Sequence, residues 1–194
     1  MCSSDLWLPS SPSSLAPDEW TYSSLTKWVS EGNSGYIFPG YASLFATSKS
    51  LILPAVFLCK LGIGAVTAIR FVALAYGFGA VVAFTILLIK VFPNEVRGRN
   101  PKIRIVFFAL ILSYSLLPSH LIWSVLGLRE SALDFWLLTS LIFLQEVKNR
   151  SKFGVLFPFL ALGLFCSLVF AFGSRRETAA IFVIFACIFY CTFP

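Results

Sequence analysis

Two acidic spots interrupt an otherwise oily chain: Pro17-Asp18-Glu19, ahead of the first apolar stretch, and Arg129-Glu130, between two later ones. A carboxylate beside hydrocarbon is costly, and one that is kept at a membrane edge commonly serves an ion pair, a substrate path or catalysis. Each spot also has a plainer reading. Asp18 caps a short helix over Glu19 to Val29, and Glu130 forms a polar cluster with Arg129 and with Asp134, one turn on. Which reading holds depends on the elements that position the two spots.

Composition sets the class of those elements. The chain is 58% hydrophobic and 12% charged, with 21 Phe and a mean hydropathy of +0.85. Soluble domains carry about a quarter charged residues, so an integral membrane protein is expected. Runs at 71–89, 105–128 and 153–174 are each about as long as the roughly 20 residues that a helix needs to cross hydrocarbon, and 131–145 and 178–194 are shorter candidates. The runs are continuous and lack period-2 alternation, which favours helices over a barrel. The expected fold is all-α: a polytopic transmembrane bundle of about five membrane helices, with an interfacial or re-entrant helical segment.

Three regions follow along the chain. Residues 1–6, Met1-Cys2-Ser3-Ser4-Asp5-Leu6, resemble one reading frame of a sequencing adaptor and read as a cloning scar. Residues 7–35 read as an extracytoplasmic loop with a short surface helix, where Trp20, Tyr22 and Trp28, with Tyr36 and Tyr41 just beyond, suit the headgroup region. Residues 36–194 read as a transmembrane helical domain, truncated because the last run stops while still apolar, with a helix also expected ahead of Asp18. No signal peptide is legible. Cys59, Cys166, Cys187 and Cys191 read as small hydrophobes, and no metal site is read from them.

Charge sets the sidedness. Lys90, Arg97, Arg99, Lys102 and Arg104 face one acid, Glu95, in a loop at 90–104, and Lys148, Arg150 and Lys152 crowd another. Both loops are expected on the cytoplasmic side, and nucleic acid is not expected as a partner. Arg129-Glu130 and Arg175-Arg176 then face outward. Asp18 and Glu19 share that face only if the mixed segment 36–70 does not cross completely.

Several of these residues together resemble a known family. The acidic pair, the aromatic surface helix, Ala68-Ile69-Arg70, and Pro118-Ser119-His120-Leu121-Ile122-Trp123-Ser124 leading to Leu128-Arg129-Glu130-Ser131-Ala132-Leu133 resemble the GT-C superfamily of membrane glycosyltransferases. The likeness is greatest to protein mannosyltransferases and bacterial lipid-linked sugar transferases. It covers roughly residues 16 to 176 through short, degenerate motifs. It departs from the pattern where the helix before the first acid is absent, and where the second site more often reads Lys-Asp or Arg-Asp.

The resemblance implies transfer of a sugar from a polyprenyl-phosphate-linked donor to an acceptor on the extracytoplasmic face, in a bacterial inner membrane. It implies catalytic roles for Asp18, Glu19 and Glu130. Asp18 suits the general base, since a carboxylate within hydrogen-bond reach can take a hydroxyl proton. Glu19 and Glu130 would orient the acceptor, and Asp18 and Glu130 are the candidate ligands for a divalent cation, Mg2+ or Mn2+. Arg129, Arg175 and Arg176 suit the lipid phosphate, whose oxygens a guanidinium fork matches; a plain interfacial anchor is the alternative for the last two. Tyr22, His120 and Trp123 are assigned to the acceptor or donor pocket, although His120 beside Pro118 also answers backbone groups that the proline frees. The fragment alone is expected to be inactive. Two other readings are a polysaccharide polymerase-like envelope protein and a non-catalytic transporter or scaffold, the transporter requiring charges near the bilayer midplane.

Overall fold

A computed structural model describes residues 17–32, 44–46, 48–93, 101–117, 129–149, 157–172 and 178–184, and no strand forms among them. The protein is all-α. Its principal helices are α1 (Pro17–Ser30), α2 (Lys49–Lys60), α3 (Ala65–Val91), α4 (Pro101–Ser115), α5 (Glu130–Asn149) and α6 (Phe157–Phe172).

Helix α1 begins earlier than expected, at Pro17. Proline suits the first helical position because its missing N–H needs no partner there. Asp18 therefore lies inside the first turn, where a negative charge favours the positive end of the helix dipole, and not at the cap. The helix buries Glu19, Tyr22, Ser23, Leu25 and Thr26, a stripe at helical spacing.

The mixed segment expected over 36–70 divides in the structure. Helix α2 has 12 residues, about 18 Å of rise against roughly 30 Å of hydrocarbon, so it is too short to cross alone. It ends in a Schellman turn: the Gly62 N–H donates to the Cys59 carbonyl at 2.9 Å and the Ile63 N–H to the Leu58 carbonyl at 3.2 Å. That turn needs a left-handed residue, and Gly62, at φ 92°, supplies it. Residues 65–70 belong to α3, which runs for 27 residues and is, among the described residues, the one helix long and apolar enough to cross a membrane. A core helix of a soluble domain would be mostly buried, yet only 28% of the apolar stretch of α3 is covered by the rest of the chain. Phe71 and Phe78 are 62% and 74% exposed. Exposed apolar surface on this scale marks a partner or a membrane.

Ring contacts and polar pairs give the helix directions. Tyr76 meets Phe135 with centroids 5.5 Å apart, and fourteen residues further along α3 Lys90 meets Glu146 at 2.5 Å. Helices α3 and α5 therefore run parallel. Phe84 stacks on Tyr114 and Phe92 meets Phe107, so α4 runs back against α3. Trp136 stacks on Phe170 and the Ser140 and Ser167 hydroxyls bond at 2.9 Å, so α6 runs back against α5. This alternation is what a chain folding back and forth gives.

Two expectations on boundaries change. Lys102 and Arg104, read as loop, lie in α4, which starts at Pro101, again a proline at a first helical position. Lys90, also read as loop, lies in the last turn of α3.

Tight packing joins α3 to α5. A Cβ placed on Gly79 would lie 2.8 Å from a ring carbon of Phe135. Gly79→Leu must displace that ring from the α3–α5 contact, and overpacking of this kind costs about 1–3 kcal/mol. Reversible unfolding in mixed detergent micelles should show that loss; an unchanged midpoint would mean that the two helices are not in close contact.

Candidate functional site

The first acidic spot is held by an ion pair that bridges 51 residues. The Arg70 Nε donates to Glu19 Oε1, and Arg70 Nη2 donates to Oε2 at 3.1 Å. Guanidinium and carboxylate meet fork to fork, the strongest geometry for such a pair. Glu19 is fully buried, while the Arg70 side chain keeps 31% of its surface exposed. A carboxylate enclosed this way needs its cation, so one end of α1 is fixed to the first turns of α3.

This geometry revises the role read for Glu19. With both oxygens on a guanidinium and no exposed surface, it cannot readily take a proton from an outside hydroxyl. It serves as the buried anion that docks α1. Tyr22 is likewise a packing residue: it is 4% exposed and lies in the core cluster with Leu25, Ile52, Ala68 and Ile69, so its ring is covered by protein and not by the headgroups expected around it. Asp18 stands in the first turn of α1 next to Glu19, and its side chain lies outside the described residues.

The second acidic spot opens α5. Glu130 is its first residue, with Arg129 Nε 3.9 Å from Glu130 Oε1. At that distance the pair attracts without a hydrogen bond. Their side chains are 20% and 24% exposed respectively, so both remain in reach of solvent or ligand. A carboxylate in a first helical turn is favoured by the dipole.

The parallel run of α3 and α5 relates the two spots. Arg70 precedes Tyr76 by six residues and Glu130 precedes Phe135 by five, which is about 9 Å and about 8 Å of helix rise from the point where the two rings meet. Arg70, with Glu19 on it, and Glu130 therefore stand at nearly the same height at one end of the bundle. Phe172, the last described residue of α6, points toward the same end but stops about 6 Å short of Glu130, since Phe170 packs on Trp136 and each residue rises about 1.5 Å. The opposite end carries the Lys90–Glu146 pair.

His120, Trp123, Arg175 and Arg176 lie outside the described residues, as do Tyr36, Tyr41, Cys2, Cys187 and Cys191. Among the described residues no group of three or more His, Cys, Asp or Glu gathers as a metal site.

Sequence reading missed the role of Arg70 and the pairing of Lys90 with Glu146. Each partner was visible as a charge bounding an apolar run, yet separations of 51 and 56 residues carry no periodic signal. No family model, curated protein or solved structure matches the chain.

Proposed function

We propose that the chain forms part of a membrane glycosyltransferase that moves a sugar from a polyprenyl-phosphate-linked donor to a hydroxyl acceptor. In this reading it is a bundle of about five membrane helices in a bacterial inner membrane, with α1 at the extracytoplasmic rim. The observation that carries the reading is the shared height of the two acidic spots: the start of α1, docked through Glu19 and Arg70, and the start of α5 lie at one end of α3.

In this reading the division of labour is the one the resemblance implies, except at Glu19, which is held by Arg70. Asp18 takes the acceptor proton as the hydroxyl oxygen bonds to the anomeric carbon. The bond from that carbon to the phosphate oxygen breaks, and the lipid phosphate leaves with the electron pair. Arg129, with Arg175 and Arg176, offsets its charge, while Glu130 orients the acceptor or holds a divalent cation. Glu19 has no chemical step and positions Asp18 through its grip on Arg70.

Membranes from the cell that makes the protein, supplied with a radiolabelled sugar on polyprenyl phosphate, should transfer label to hydroxyl acceptors in proportion to the amount of this protein. Transfer that is independent of that amount would remove the enzyme reading.

A further inference from the structure

A groove of about 550 Å³ opens between α2, α3 and α5. Its walls are Pro54, Phe57 and Leu58 of α2, Phe71 and Ala75 of α3, and Phe135 of α5. Tyr76 also lines it, but its hydroxyl donates to the Ser50 carbonyl at 2.9 Å, so the phenol is satisfied within the protein. A cleft of this size, within the roughly 300–1,000 Å³ usual for ligands, selects for hydrocarbon.

Length and charge narrow the occupant. The α3 wall runs from Phe71 to Gly79, about 12 Å of rise, which is close to one leaflet of a bilayer whose hydrocarbon is roughly 30 Å thick. Around the mouth Phe57, Leu61 and Phe71 are 63%, 65% and 62% exposed. Lys60 closes α2 two residues beyond Leu58 and is exposed, with a stem that can lie along apolar surface while its ammonium reaches the interface. Residues 44–94 contain no Asp or Glu, and Glu19, which packs in from α1, is taken up by Arg70, so the Lys60 ammonium supplies the positive charge at this end of α2. We infer that the groove seats one acyl chain of an anionic phospholipid of the surrounding leaflet, with Lys60 on the headgroup phosphate.

The inference rests on the membrane part of the reading above and not on sugar transfer. The purified full chain, released from micelles into native mass spectrometry with phosphatidylglycerol and phosphatidylcholine of identical chains, should retain one phosphatidylglycerol at least tenfold over phosphatidylcholine. Ala75→Trp, at an exposed wall position, fills the groove without disturbing the core and should abolish retention. Lys60→Glu should bring phosphatidylglycerol down to the phosphatidylcholine level. Undiminished retention in Ala75→Trp, equal retention of the two lipids, or displacement of phosphatidylglycerol by polyprenyl phosphate would each overturn the inference. A chain that resists carbonate extraction from membranes yet keeps no phospholipid sinks this inference alone, whereas a chain that carbonate removes sinks the membrane reading as well.

Discussion

Arg70→Ala should be the most damaging single truncation in the described part of the chain, costing about 3–5 kcal/mol. The reason is an asymmetry within the pair. Glu19 has no exposed surface, so losing Arg70 leaves a carboxylate buried without its cation; the Arg70 side chain is 31% exposed, so losing Glu19 leaves a guanidinium that can turn to water. Glu19→Ala should therefore cost less, about 1–3 kcal/mol, the scale of a lost charged hydrogen bond. Replacing both residues by Met should recover most of the loss, since a buried pair is often matched by apolar side chains of similar volume. Unfolding midpoints of the three variants in the same mixed micelles measure this. Equal losses in the two single variants, or a larger loss in Glu19→Ala, would mean that Glu19 is not buried as described.

In membranes of the cell that makes the protein, Asp18→Asn should lower sugar transfer by about 10²–10⁴-fold, the range that a positioned general base contributes. Stability should barely move. The charge removed sits in the first turn of α1, where the helix dipole makes it worth about 0.3–1 kcal/mol, far too little to unfold the protein. Loss of activity with an unchanged unfolding midpoint is the signature of chemistry, whereas Glu19→Ala should lose both together. Transfer within a few-fold of the unsubstituted protein in Asp18→Asn would take Asp18 out of the mechanism.

The all-α class and the apolar core of α3 were legible because composition and uninterrupted hydropathy report directly on what a helix beside hydrocarbon requires. The start of α3 was not. Arg70 reads as the edge of a membrane run, yet the helix continues past it to Ala65, since Glu19 neutralises that charge from another helix. Lys90 was misread as loop for the same reason, its partner Glu146 being on α5. Tyr22 looked like an interfacial ring because aromatic residues cluster around it in sequence; only packing against Ile52 and Ile69 reveals a core position. Both acidic spots stood out as charges in an apolar chain, but sequence alone could not separate Glu19, which is enclosed by a guanidinium, from Glu130, which is partly exposed. That distinction belongs to tertiary structure.

Sidedness is the most direct test of the proposed rim. In a background with the native cysteines replaced by serine, single cysteines at Lys27 on α1, Arg129 at the head of α5 and Phe92 beyond the far end of α3 can be offered a membrane-impermeant maleimide on intact cells. Lys27→Cys and Arg129→Cys should label from outside, and Phe92→Cys only after the cells are permeabilised. Labelling of the α1 and α5 positions from opposite faces would contradict a shared site and leave the two acidic spots with separate purposes.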